Sequence, residues 1–563
     1  MKNLVFLVIC MICCLCQLIG QNITLTKPSK VQYFWQEQER IMFIHFGIAT
    51  WRGTELDQGN FDLKRVNPSL LSTDEWCRIA KSWGAKEIIF VAKHVGAFCW
   101  WPTKTTEYCV RNIPWKGGKG DLVADISKSC KKFGINLGIY CKPEDIGWGA
   151  GIGSGGKTSD PSKQEAYNKV YRQQLTELLS NYGDIKEVWF DGGCAIYIND
   201  IIEKFAKEAV IFQGPKASIR WPGTETGCLF YPAWNTVKSN DLKTGVSTQY
   251  HDDPNGDSWA PLEADVPLYN HYWFWSPGNE EKRKSVDELM NIYYKSIGYG
   301  GVLLLNSSPD TMGVIPEGDM KRYSEFGEEI NRRFSKPLKT IKNKKGKTVE
   351  LIFEKPIEIN HTIIMEDYHK GQSIREYVIE GQIDKEWKIL TKGSSVGRKK
   401  IDPFSTVKVL KVRLRVIRSV DIPLIRSFEV YNVDNYQFIP DKYETVDWKE
   451  CGLWDTKSFN NGKGEISVDL SPYIIKPGQY EVAFTSSVNI TGMRVDTAEI
   501  IFESKNTMSE YLTRKKNDFN TFYINQPYQV IAGSNLILKV KMSSNNKVFQ
   551  NKGAIKIRPR STL

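Results

Sequence analysis

Eight short apolar runs in the first two thirds of the chain, separated by segments of helical periodicity, narrow the choice of fold more than any other feature. The runs are Ile41 to Gly47, Glu87 to His94, Asn136 to Tyr140, Val188 to Asp191, Val210 to Gln213, Ile219 to Trp221, Asp265 to Trp273 and Val302 to Asn306. Strands that alternate with crossover helices make a parallel sheet, and eight such units predict a closed (β/α)8 barrel. The intervening segments carry the matching helix signals. Ser72 with Glu75, and Ser285 with Glu288, have capping-box spacing ahead of apolar-periodic stretches that end near Gly84 and Gly298. Tyr167, Val170, Tyr171, Leu175, Leu178, Leu179 and Tyr182 recur at helical spacing and stop at Gly183, which predicts a helix packed on the outside of the barrel.

Past Phe334 the texture changes to short alternating segments, among them Val349 to Phe353, Thr362 to Met365, Val407 to Val416 and Ser427 to Val430. A second set lies beyond the Pro440 region: Glu465 to Leu470, Gly478 to Thr485, Thr497 to Phe502 and Asn535 to Val540. Period-2 alternation of this kind predicts antiparallel β-sandwich domains. The expected organisation is therefore a barrel over 21–335, a β-sandwich over 336–435 and a second over 436–563. These tail domains are read as buttresses of the barrel, with a carbohydrate-binding module as the alternative for the last. Residues 1–20 have a basic start at Lys2, an apolar stretch from Leu4 to Leu15 and Gly20 ahead of polar residues. This is the pattern of a secretion signal cleaved near Gly20, and it predicts an exported protein. Its apolar run is shorter than the roughly 20 residues a membrane span needs.

Composition removes several function classes. Lysine and arginine exceed aspartate and glutamate by 76 to 65, but the excess is spread along the chain. The one dense basic run, Lys336 to Lys347, reads as a solvated linker face, so no nucleic-acid partner is expected. Outside the leader the cysteines lack the paired spacing of a zinc site, and no nucleotide-binding loop or redox motif is present. No metal and no cofactor are expected, and no oligomeric state is assigned.

In a barrel of this type the working residues stand just past the carboxyl ends of the strands. The first run ends in His45, Phe46 and Gly47, with Glu55 in the loop beyond. The second ends in Lys93 and His94, followed by Phe98, Trp100 and Trp101, and the third delivers Tyr140 and Asp145. The fourth closes as Trp189-Phe190-Asp191-Gly192, where a carboxylate ending an apolar strand is poorly placed for packing and well placed for a ligand. Glycoside hydrolysis uses two carboxyl groups, one ionised and one kept protonated by its surroundings. With Asp191 as the first, the second is either Glu225, beside Trp221, or Glu263. A chain with 17 tryptophans, several of them clustered near these strand ends, suits a sugar, whose C–H face stacks on aromatic rings. Tryptophans such as Trp101 and Trp221 are candidates for that stacking, and packing is the competing reading.

Several ordered segments resemble glycoside hydrolase family 29, the α-L-fucosidases. They are His45-Phe46-Gly47, Lys93-His94 through Phe98 with Trp101-Pro102-Thr103-Lys104, Trp189-Phe190-Asp191-Gly192, Arg220-Trp221-Pro222-Gly223-Thr224-Glu225 and Leu303-Leu304-Leu305-Asn306. The likeness spans about residues 30 to 334 and is closest to the subfamily acting on 1,3- and 1,4-linked fucose. It implies a retaining double displacement on terminal fucose of a fucosylated oligosaccharide or glycan, with Asp191 as nucleophile and Glu225 as acid/base. It further implies that His45, Glu55, His94, Tyr140 and Trp189 line the fucose subsite and that Glu263 contacts substrate.

Two departures stand out. Where many members have two histidines followed by aspartate and glycine, this chain reads His94-Val95-Gly96-Ala97, and Asn270 stands where arginine is frequent, followed by His271. The first keeps two other readings open: an exo-glycosidase for a related sugar such as an α-L-galactoside, and an inactive fucose-binding protein.

Overall fold

The computed structural model describes residues 25–244, 247–270 and 272–438, and beyond them 449–455, 459–460, 463–473, 480–486, 493–502, 506–507, 512–514, 521–524, 536–544 and 552–559. The expected leader and His271 lie outside the described residues. Seven parallel strands form one sheet: β1 (Arg40–Ile44), β2 (Glu87–Lys93), β3 (Asn136–Cys141), β4 (Ile185–Trp189), β5 (Val210–Phe212), β8 (Glu263–Val266) and β9 (Val302–Ser307), in the order β5-β4-β3-β2-β1-β9-β8. A two-stranded ladder of β6 (Thr236–Val237) and β7 (Ser258–Trp259) stands apart from it.

The barrel closes without a full eighth strand. The expected run Ile219 to Trp221 is reduced to two single-residue parallel bridges, Phe212 with Ile219 and Arg220 with Leu262. Pro222 has no N–H to extend the ladder, and Gly223 turns away at φ 99°. The buried Arg220 side chain compensates, donating to the carbonyls of Ala260 (2.7 Å) and Trp234 (2.7 Å) and pairing with Asp252 at 2.8 Å. The expected strand Asp265 to Trp273 is also displaced: pairing with β9 begins at Glu263 and ends at Val266, and Pro267, with no N–H to donate, opens the loop that leads on to Trp273.

The helices of the barrel are α1 (Lys30–Glu37), α2 (Ile48–Arg52), α3 (Thr73–Ser82), α4 (Leu122–Phe133), α5 (Gln164–Asn181), α6 (Asn199–Phe205), α7 (Val286–Lys295) and α8 (Glu317–Phe334). Ser285 makes the full expected capping box with Glu288, whereas at Ser72 only the hydroxyl bond to the Glu75 N–H forms. Side chains alternate across the strands as the pleat requires. Met42, Ile44, Ile88 and Phe90 pack outward against the helices, while Ile41, Phe43, Ile89, Val91, Trp189, Val302 and Leu304 fill the barrel interior.

After α8 a six-stranded antiparallel sheet runs in the order β10-β15-β11-β14-β12-β13, from β10 (Lys339–Lys345), β11 (Thr348–Glu366), β12 (Ile374–Ile383), β13 (Glu386–Gly393), β14 (Lys400–Ser419) and β15 (Leu424–Tyr431). Its long strands shift register between Ile352 and Ile357 and again near His361, and it has its own core around Ile359, Tyr377, Leu414 and Phe428. The sheet is tied to the barrel by the bidentate Arg426–Glu37 pair (2.7 and 2.9 Å) and by the Tyr231 hydroxyl on the Ser395 carbonyl at 2.8 Å. The remaining strands make a five-stranded and a four-stranded antiparallel sheet. Trp454, Val482, Phe484 and Ile555 of the first share one core with Leu538 and Val540 of the second, as in a β-sandwich. No helix among the described residues is long and apolar enough to cross a membrane.

Candidate active site

The inward row of four strands ends in a polar residue one step beyond its last apolar one. Phe43 leads to His45, Tyr140 to Lys142, Trp189 to Asp191, and Leu304 to Asn306, so these four groups converge on the barrel mouth. Strand β2 obeys a different parity. Its pairing with β3 shifts register between Val91 and Lys93, which sends Lys93 outward to the Tyr167 hydroxyl (3.2 Å) and Asp145 (3.5 Å). His94 is thereby turned inward and stacks on Tyr140, with ring centroids 5.7 Å apart.

Asp191 sits at the floor with its side chain 40% exposed. Gly192 and Gly193, at φ 77° and 86°, carry the chain away from it in the left-handed region that glycine tolerates. Its Oδ2 accepts the Tyr140 hydroxyl at 2.9 Å and forms an ion pair with Lys142. Burial pushes this carboxyl up, but the Lys142 ammonium and the Tyr140 hydroxyl outweigh it and hold the group below its ordinary value. Asp191 is an anion across the neutral range.

Glu225 is in the opposite state. It lies in the loop beyond the barrel seam, and its Oε2 accepts the Trp273 indole N–H at 3.2 Å. Burial pushes its carboxyl up to about 7, and the charges of Asp191 and Glu55 add to that rise. Glu55 follows α2 and accepts the Trp273 backbone N–H at 2.8 Å, and burial raises it to about 7 as well. A pair of carboxyls with their protonation set apart by environment is the arrangement that supplies a nucleophile and a proton donor at one pH.

The two imidazoles are neutral. Asn306 donates through Nδ2 to the Trp273 carbonyl at 2.8 Å, so its Oδ1 accepts from Nδ1–H of His45 at 2.8 Å. That fixes the tautomer and leaves Nε2 of His45 as an acceptor for a hydroxyl. Burial lowers His45 to about 4 and takes His94 well below its usual range. Nδ1 of His94 is buried with no hydrogen-bond partner among the described residues.

Other residues expected in the subsite are placed differently. Trp101 is buried and gives its indole N–H to Glu177 on α5 at 2.8 Å, so it packs the helix layer and does not reach the mouth. Trp100 likewise donates to the Phe46 carbonyl. Glu263 is fully buried one layer below the mouth, where it accepts the Trp189 indole N–H at 2.8 Å. It supports Trp189, which stacks flat on Phe212 at 3.7 Å and floors the site, instead of meeting a ligand itself. The acid of this strand that neighbours the site is Asp265, two residues on, which holds the Trp221 indole at 2.8 Å; burial and then the charge of Glu225 push its carboxyl well above the usual range. Trp221 is half-buried at the mouth.

Sequence reasoning passed over Lys142, Asp265 and Asn306 as site groups, and left Trp273 even between packing and stacking. Those three obey the same inward parity as Asp191, a signal that could have found them; Trp273 is fixed by a loop, where no parity decides its role. The His94-Val95-Gly96-Ala97 departure has a packing reason. A Cβ on Gly96 would lie 2.1 Å from the Asp57 carboxylate, so this carboxylate occupies the space where a larger residue would stand. Asp57 is held there by Tyr108 (3.0 Å) and Arg52 (3.2 Å), and Val95 is fully buried. Asn270 is exposed and pairs with Lys284 at 3.3 Å.

The family model of α-L-fucosidases matches residues 31–333, which is the whole barrel. Alpha-L-fucosidase 1 of Arabidopsis thaliana is 31% identical over 453 residues, covering 72% of this chain and 87% of that protein. Among solved structures, a crystal structure described as a putative α-L-fucosidase from Bacteroides thetaiotaomicron aligns with a TM-score of 0.69 and 33% identity, covering 73% of this chain and all of that one. The family 29 fucosidase of Ruminococcus gnavus in complex with fucose aligns at 0.63 with 25% identity, covering 74% and 98%. With one carboxyl held low and a second raised to about 7 at the mouth of a matching barrel, this chain belongs to the α-L-fucosidases of glycoside hydrolase family 29.

Proposed function

We propose that this glycoside hydrolase is a retaining exo-α-L-fucosidase that removes terminal α-1,3- or α-1,4-linked fucose from exported or extracellular glycans. Asp191 attacks the anomeric carbon while Glu225 protonates the departing glycosidic oxygen; Glu225, now a base, then draws a proton from water as it opens the glycosyl ester. His45, His94 and Glu55 face the sugar hydroxyls, and Trp189, Trp221 and Trp273 supply its apolar walls.

The observation that carries this reading is the contrast in surroundings of the two carboxyls, with Asp191 paired to Lys142 and Tyr140 and held low, and Glu225 buried against the Trp273 indole and raised to about 7. An inactive fucose-binding barrel would have no need of it. The test follows the first-formed sugar by NMR during hydrolysis of an aryl α-L-fucoside, with the aryl α-L-galactoside alongside. Expected are α-L-fucose as first product, loss of turnover in Asp191→Asn, and recovery of Glu225→Gln activity by azide. First-formed β-L-fucose would refute retention, and faster cleavage of the galactoside would refute the substrate. Fucosylated oligosaccharides of each linkage then decide the 1,3/1,4 preference.

A further inference from the structure

Lys142 is a buried cation in direct contact with the carboxylate that double displacement uses, and that mechanism assigns it no task. It stands two residues after Tyr140, on the same inward row, and both contacts fall on Oδ2 of Asp191. Its Nζ also lies 3.4 Å from the Asp191 carbonyl oxygen and 3.0 Å from Oε2 of Glu144. Glu144 is fully buried and is itself fixed, its Oε1 accepting the backbone N–H groups of Gly153 (3.1 Å) and Gly155 (3.3 Å). The ammonium is therefore clamped between a structural anion and the reacting one.

We infer that Lys142 is a positioning residue for the second half of the reaction: it holds Asp191 by Oδ2, presents Oδ1 to the anomeric carbon, and favours departure of the carboxylate from the glycosyl ester. The inference rests on Asp191 being the nucleophile. In the first step Oδ1 bonds to the anomeric carbon and the aglycone oxygen leaves with the proton of Glu225, so Asp191 loses its charge and Oδ2 becomes an ester carbonyl. In the second step a water oxygen bonds to that carbon and its proton passes to Glu225. The bond to Oδ1 breaks, and its electron pair returns to the carboxylate. An ammonium attracts a carboxylate more strongly than an ester, so Lys142 stabilises what the first step consumes and what the second step restores. Without it, ester breakdown should limit turnover.

The test compares wild type with Lys142→Met, Lys142→Arg and the double variant Lys142→Met/Glu144→Gln on 4-nitrophenyl α-L-fucoside. The double variant removes the buried pair together and keeps an acceptor for Gly153 and Gly155, so it guards against misfolding of the single one. Expected for both Met variants is a burst of about one equivalent of 4-nitrophenol, with kcat and KM falling together by roughly tenfold and kcat/KM at its optimum little changed. The acid limb of kcat/KM should move up by about 1 to 3 pH units, while Lys142→Arg restores the wild-type limb. Folded Met variants with no burst and an unmoved acid limb would overturn the inference. If Asp191→Asn keeps its turnover, the nucleophile assignment itself fails; if it is dead and the Met variants are unaffected, only the role of Lys142 fails.

Discussion

Replacing Trp273 by Phe tests whether Glu225 is the proton donor through a single hydrogen bond. The indole N–H reaches Oε2 of Glu225 at 3.2 Å and favours the ionised form, so it works against the burial that raises the group to about 7. Phe keeps the ring and the backbone contacts of Trp273 to Glu55, Asn306 and Ser308. A long bond of this kind is worth about 1 kcal/mol, and at about 1.4 kcal/mol per pH unit its loss should raise the carboxyl by about 0.7 unit. Because the donor must be protonated to act, activity falls as pH rises through its pKa, and the alkaline limb of kcat/KM should move up by that amount. The assay is a pH profile on an aryl α-L-fucoside whose poor leaving group needs protonation, with the acid limb as an internal control that should stay in place. An alkaline limb that moves down, or an acid limb that moves in its stead, would refute the assignment.

Substitutions at two positions probe the scaffold. Gly96→Ala should cost about 1 to 3 kcal/mol in denaturant unfolding, because the new methyl meets the Asp57 carboxylate at 2.1 Å and must displace it from Tyr108 and Arg52. Arg220→Met should cost about 3 to 5 kcal/mol by the same measurement, since it takes the buried guanidinium away from the Asp252 carboxylate and from the Ala260 and Trp234 carbonyls. Arg220→Lys should recover only part of this loss, as one ammonium cannot serve both carbonyls and the carboxylate at the fork geometry of a guanidinium.

The barrel strands are legible in the sequence because an apolar run bounded by breakers has few other fates, and Asp191 is legible because a carboxylate after such a run has no packing rationale. Glu225 and Glu55 lie on loops, which periodicity does not describe; the residues alone leave Glu225 open against Glu263, and the resemblance is what favours it. The misplacements come from depth and parity. Glu263 and Asp265 share one face of β8, and the chain alone does not say which rung of the barrel meets solvent. Trp101 lies close enough to a strand end to suggest the mouth, but the turn after His94 carries it back under α5. The reduced seam at Ile219 and Arg220 has the composition of a full strand, although Pro222 already limits how far its ladder can extend. Lys142 is hidden because a cation at the end of an apolar run gains its meaning only from the carboxylate that the next strand delivers to the same row.

The seam has a consequence for motion. Asp191 extends from β4, which is paired along both edges by β3 and β5, whereas Glu225 extends from a segment whose ladder is reduced to bridges at Ile219 and Arg220, with single backbone bonds from Ser218 and Gly227 on its flanks. Regions with few backbone bonds open locally at lower free energy than the strands beside them. The two carboxyls are thus mounted with unequal stiffness, and amide exchange should be faster through 221–226, between the backbone ties at Arg220 and Gly227, than through 185–190. Thermal opening of the seam would interrupt proton delivery while the nucleophile stays in register, so an enzyme nearing its melting range would lose the step that needs Glu225 before it loses the pocket that holds the sugar.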